Sequence, residues 1–216
     1  MLNEILFLSQ ICVIGMSASL AKRFGREALV VLMCVLGILS NLFVGKQIVL
    51  FGLAATCSDS FSVGCSLCLN LLQENFGKDV AKKAIWLSFG FLVFYLAMTQ
   101  FQIFYTPSQF DFLGSCYEKI LSLMPRLVLA SLTAYFISQQ TDRLIYGYLT
   151  EQAKVKNFIL KNYASLLISQ LIDTILFSLL GLYGVVSNIS QIILISYLIK
   201  IGTIILIAPL TKLAND

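Results

Sequence analysis

YASLLISQLIDTILFSLLGLY, residues 163–183, contains a single charged side chain, Asp173, among 21 residues. Wound as an α-helix it would measure about 32 Å, close to the roughly 30 Å hydrocarbon core of a bilayer. Comparable apolar runs fall near 2–21, 29–45, 48–72, 85–104, 120–142 and 187–208. The third is long and dilute, interrupted by Asp59, Gly64 and Asn70. It reads as broken or partly re-entrant, because irregular backbone survives at membrane depth only where protein or a cavity covers it. The expected fold is therefore all-α: one polytopic transmembrane bundle over residues 1–216, with six to seven spans.

Composition agrees. Of 216 residues 58% are hydrophobic and 12% charged, against about 25% charged in soluble domains. Mean hydropathy is +0.88. The opening MLNEILFLSQ has no basic flank and carries Glu4, so it reads as a retained first span rather than a signal peptide. Six cysteines and no histidine are present. Cys65 and Cys68 have redox-like spacing, but they lie in an apolar run with no second pair to complete a zinc site, and are expected to be small membrane-helix residues.

Lys and Arg cluster between the apolar runs, which suggests orientation in a membrane and not nucleic-acid binding. Lys22, Arg23 and Arg26 follow the first run, and Lys78, Lys82 and Lys83 follow the third. Arg143, Lys154, Lys156 and Lys161 separate the fifth from the sixth. The alternate connections hold Lys46, then no basic residue in 105–117 or 181–190. The positive-inside rule then puts the N-terminus outside and the C-terminus in the cytoplasm.

Polar side chains within the spans carry the functional signal. A charge at the bilayer centre costs at least about 2.5–3.5 kcal/mol, so such groups face the bundle interior and find partners or ligands. Asn41, Asp59, Asn70, Glu74, Arg126, Gln139, Asp142, Gln170, Asp173 and Lys200 all lie in or at the ends of spans. Interhelical hydrogen bonding is the plain alternative for any one of them. It explains the whole set less well, since helix glue does not require both signs of charge. Within the set, SQQTD (138–142) and SQLID (169–173) repeat a Ser-Gln-x-x-Asp string. Gln and Asp three apart share one helix face. An amide beside a carboxylate suits a flat, polar heterocycle that both donates and accepts hydrogen bonds.

Helical rise also predicts a pair. Asp173 lies about 15 Å into its span and Lys200 about 12 Å into the next, antiparallel one. Opposite charges at matched depth are tolerated where single ones are not, so the two should face each other. Absent are a Ser-His dyad, the local sequences of an intramembrane aspartyl protease, a phosphate-binding Gly-rich loop and an Arg-rich voltage sensor. No cofactor is implied. Transport of a small polar solute is the function left, with a non-transporting membrane assembly subunit as the rival.

Several strings resemble one family: NLFVGK (41–46), FG (51–52), QENFGKDVAKKAI (73–85), Arg126 with SLTAYFISQQTDRLIY (131–146), SLLISQLIDTILF (165–177), Lys200 and Pro209. They are similar to the queuosine precursor transporter family, also known as the putative vitamin uptake transporter family. The resemblance implies an inner-membrane importer of 7-deazapurines for tRNA modification, built like the substrate-binding components of energy-coupling-factor transporters. It leaves an energy-coupling module or a second copy of the chain as partners. The repeated strings make Gln139, Asp142, Gln170 and Asp173 the expected substrate contacts, supported by Asn70, Glu74, Arg126 and Lys200. Asn70 departs from the family, which commonly carries Asp four residues before the loop Glu.

Overall fold

The computed structural model describes the backbone of residues 2–151 and 158–213; the side chains of Glu74, Lys78, Gln139, Asp142, Arg143, Tyr146, Thr150, 151–163 and 203–213 lie outside the description. Among the described residues eight helices follow one another: α1 (Leu2–Phe24), α2 (Arg26–Phe43), α3 (Asp59–Phe76), α4 (Lys78–Phe104), α5 (Gly114–Leu121), α6 (Met124–Glu151), α7 (Phe158–Phe177) and α8 (Ile189–Leu213). A π-helical turn, Ser178–Leu182, extends α7.

Among the described residues, five stretches are long and apolar enough to cross a membrane: Leu2–Phe24, Arg26–Phe43, Asp79–Phe104, Gly114–Ser138 and Ala164–Leu182. The segment Ile189–Gly202 of α8 is equally apolar. Large side chains such as Val13, Val31, Phe94, Phe101 and Leu194 point outward, which suits hydrocarbon rather than water. The protein is a multi-pass membrane helix bundle.

Residues 48–72 are indeed broken, and they add strands to an otherwise helical fold. Gln47–Leu50 (β1) and Leu53–Thr56 (β2) form an antiparallel hairpin in which Leu50 pairs with Leu53. Phe51 (φ 51°) and Gly52 (φ 80°) connect them. Positive φ at both central residues is what a type I′ hairpin turn requires. Polar side chains from α1 and from the start of α8 cover the hairpin. Asn3 Nδ2 donates to Val49 O (3.1 Å), and Phe51 N donates to Glu4 Oε1 (3.1 Å). Ala54 N donates to Gln191 Oε1 (3.1 Å), and Ser187 donates through N and Oγ to Gln47 Oε1 (3.1 and 2.9 Å).

The weak hydropathy of α3 has a structural cause. This helix packs against α1, α2, α4 and α8 and sits inside the bundle, so it need not be apolar all round. A Cβ built on Gly64 would lie 2.5 Å from Ile14 Cγ2 and 2.9 Å from Leu36 Cδ1, where α1, α2 and α3 meet. Gly64→Val should therefore lower stability by about 1–3 kcal/mol. Gly90→Ala, with nothing within 4 Å, should be nearly neutral. Thermal unfolding in detergent would separate the two, and equal melting would show that the helices are not tightly opposed there.

Three clusters fix the ends of the bundle. Ala21, Leu29, Met33, Leu71, Leu72, Ala81 and Ala84 gather where α1 meets α2 and α3 meets α4, the end carrying Lys22, Arg23, Lys82 and Lys83. Val44, Leu121, Met124, Leu182 and Ile192 gather at the other end. Phe7, Leu50, Ala55 and Ile195 seat the hairpin there between α1 and α8. The expected span 120–142 falls almost wholly on α6: α5 stops at Leu121 and α6 begins at Met124, with Pro125 in a first turn that tolerates it. Lys119 sits on α5, at the hairpin end.

Candidate functional site

Polar residues recur three or four apart along helices whose other faces are apolar: Ser58, Ser62 and Ser66; Ser131, Tyr135 and Ser138; Gln170, Asp173, Thr174 and Ser178; Ser196 and Lys200. That spacing aligns them into one stripe per helix. Packed together, the stripes enclose a cavity of about 230 Å³ between α2, α3 and α4 on one side and α6, α7 and α8 on the other. The hairpin and Asp59 stand at one end. Met33, Ser66, Leu69, Ile85 and Ser138 lie toward the basic end, where Ser66 forms an exposed lip.

Lys200 Nζ donates to Asp173 Oδ2 at 2.7 Å, so the pair expected from matched depths is present. Gln170, one turn before Asp173, lines the same space. Deeper in, Ser196 Oγ donates to Asp59 Oδ2 (2.9 Å), and Thr56 and Ser58 share a hydrogen bond of 2.8 Å. Asn41 Oδ1 accepts from Ser131 Oγ (3.2 Å) while its Nδ2 donates to Gly37 O (3.0 Å), tying α2 to α6. Ser40 and Ser62 are 3.1 Å apart.

Aromatic surface completes the lining. Phe89 meets Tyr135 edge to face, with ring centres 4.9 Å apart at 89°, and Phe177 lies on the facing half. The Tyr135 hydroxyl is buried and has no hydrogen-bond partner among the described residues. A buried, unsatisfied donor costs free energy, and one lining a cavity is placed to meet a ligand. Carboxylate, amide, hydroxyl and flat apolar rings together can hold a planar heterocycle by its edge and its face.

Of the eight expected site residues, Gln170, Asp173 and Lys200 converge on the cavity. Glu74, Gln139 and Asp142 fall on helical backbone, and their side chains lie outside the described residues. Asn70 is exposed on α3 and does not line the cavity. Arg126 is placed elsewhere too. Its Nε donates to Leu180 O and a terminal nitrogen to Tyr183 O, both at 2.7 Å, so the guanidinium closes the π-helical end of α7. Tyr135, Thr56 and the serine stripes were missed as site residues. The three-to-four spacing of hydroxyls could have found them, but hydropathy averaging hides small polar groups. All six cysteines are free.

An apolar exterior around a polar, aromatic cavity is the build of a membrane transporter. Residues 61–214 match the family described as putative vitamin uptake transporter. A relative from Bacillus subtilis (strain 168), named "Probable queuosine precursor transporter", is 30% identical over 191 residues, 87% of this chain and 83% of that protein. No solved structure matches significantly. The chain belongs to the putative vitamin uptake transporter family.

Proposed function

We propose that this protein imports a queuosine precursor, a 7-deazapurine base, across the cell's inner (plasma) membrane. The cavity carries the reading: Gln170 and Asp173 face it from one side of α7, and the Tyr135 hydroxyl, without a hydrogen-bond partner among the described residues, lines it from the neighbouring α6. A ring edge with donors and acceptors would use the amide and carboxylate, and the ring face would lie on Phe89 or Phe177. The name of the Bacillus relative supports the same substrate class. Gln139, Asp142 and Glu74 remain proposed contacts on sequence grounds. Arg126 contributes, in this reading, only by closing the end of α7, and Asn70, exposed on α3, is not a cavity contact. The bilayer is one partner. An energy-coupling module or a second copy of the chain is the other, as the source of driving force.

The basic end faces the cytoplasm in this reading, since Lys22, Arg23, Arg26, Lys82 and Lys83 crowd it. The lip at Ser66 then opens inward and the hairpin closes the outside. A reporter fused after residue 110 should be extracellular, and one after residue 152 cytoplasmic. Both on one side would overturn the topology. The function itself is tested in a cell that cannot synthesise the base. Expression should restore uptake of labelled precursor and the appearance of queuosine in tRNA; no restoration, with the protein present in the membrane, would sink the reading.

A further inference from the structure

The charged side chains lining the cavity, among the described residues, are Asp59, Asp173 and Lys200. Lys200 is engaged with Asp173 at 2.7 Å. No ion pair joins Asp59 to a described cation. Its carboxylate is 6% exposed and receives a hydroxyl from Ser196. Asp59 is also the first residue of α3. Its charge therefore sits at the positive end of a helix dipole, which favours the ionised form but supplies no counter-ion. Ser196 and Lys200 are four residues apart on α8, so the two carboxylates are bridged by about 6 Å of helix. One end of the cavity is neutral as a pair. At the other, Asp59 is a carboxylate without a direct ion-pair partner among the described residues, Lys200 acting on it only from a distance.

We infer that Asp59 seats a positively charged amine carried by the substrate, so the preferred ligand is a 7-deazapurine bearing an ammonium group rather than an uncharged one. The ring edge meets Gln170 and the Asp173–Lys200 pair, and the ammonium reaches past them to the Asp59 carboxylate. A charge-assisted hydrogen bond in this dry setting is stronger than a neutral one, and a neutral substituent would leave Asp59 without a direct ionic partner. The inference rests on the import reading above and narrows it.

Two probes separate the terms: 7-aminomethyl-7-deazaguanine, cationic at neutral pH, and 7-cyano-7-deazaguanine, which shares its ring but is uncharged. Binding of each to the purified, full-length protein in detergent is compared for the wild type, Asp59→Asn and Ser196→Ala. The wild type should favour the amine by about ten-fold or more, and Asp59→Asn should bring the amine down to the affinity of the nitrile. Ser196→Ala retains the charge, so the amine preference should survive. It keeps the test decisive should Asp59→Asn fail to fold, because loss of the preference in Ser196→Ala would then count against the charge. Equal affinity for both bases in the wild type, or an amine preference untouched in folded Asp59→Asn, would overturn the assignment. A folded wild type that binds neither base would bring down the import reading itself.

Discussion

Asp173→Asn should abolish uptake while leaving the protein in the membrane. Asparagine keeps the volume and loses the charge, so the Lys200 ammonium, 2.7 Å away in the native pair, is left without its counter-ion. Breaking a fully buried pair costs roughly 3–5 kcal/mol. Here the side chains of Lys200 and Asp173 keep 16% and 22% exposure to the cavity, so a stability loss nearer about 2 kcal/mol is expected. Uptake should fall by about a hundred-fold, the rate equivalent of ~2.7 kcal/mol. Asp173→Asn with Lys200→Gln removes both charges, and should regain stability without regaining transport. Initial uptake rates normalised to folded protein would check this. Normal uptake by the single variant, or full uptake by the double one, would refute a charge-dependent role for Asp173.

Arg126→Ala should cost about 2–4 kcal/mol of stability, because two hydrogen bonds from a charged donor disappear together. The acceptors are the carbonyls of Leu180 and Tyr183 at the end of the π-helical turn, where carbonyls otherwise lack partners. A π turn holds one more residue per turn than the α ladder beside it. Without the clamp, α-helical winding would rotate Ser178 and Leu182 away from the cavity. Arg126→Lys should rescue little, since one ammonium cannot reproduce a planar two-point fork. Detergent melting temperatures of the three proteins would measure the effect, and a wild-type melting point for Arg126→Ala would discount the clamp.

Arg126 also marks the limit of what the sequence disclosed. An intramembrane arginine advertises that its charge has a partner but not which, and here the partners are backbone carbonyls 54 and 57 residues away. Asp173 and Lys200 were legible because depth in a helix is a linear function of residue number, so matched depths imply proximity once neighbours are antiparallel. The spans were legible for a similar reason: lipid demands uninterrupted apolar length. The hairpin was legible only as a break. Its strands are four residues each, shorter than any hydropathy window, and their register depends on a left-handed Phe51 that no pattern demands. Helix ends at the basic end of the bundle were misjudged in one direction, all running past the expected spans. For example, α6 runs to Glu151 and α7 starts at Phe158, since polar residues continue a helix once it leaves the hydrocarbon.

The hairpin has a consequence for biogenesis. Gln47 and Ala54 are bound by Ser187 and Gln191, contacts spanning 140 and 137 residues, and Asp59 meets Ser196 across another 137. Contacts that distant form late, since the intervening chain must first be made and threaded. During synthesis the first helices reach the bilayer with β1, β2 and Asp59 still lacking their α8 partners. A nascent chain arrested before residue 187 therefore presents an open strand edge and a bare carboxylate. Both are liabilities, the edge for pairing with another chain and the carboxylate for its cost in an apolar setting, until α8 arrives.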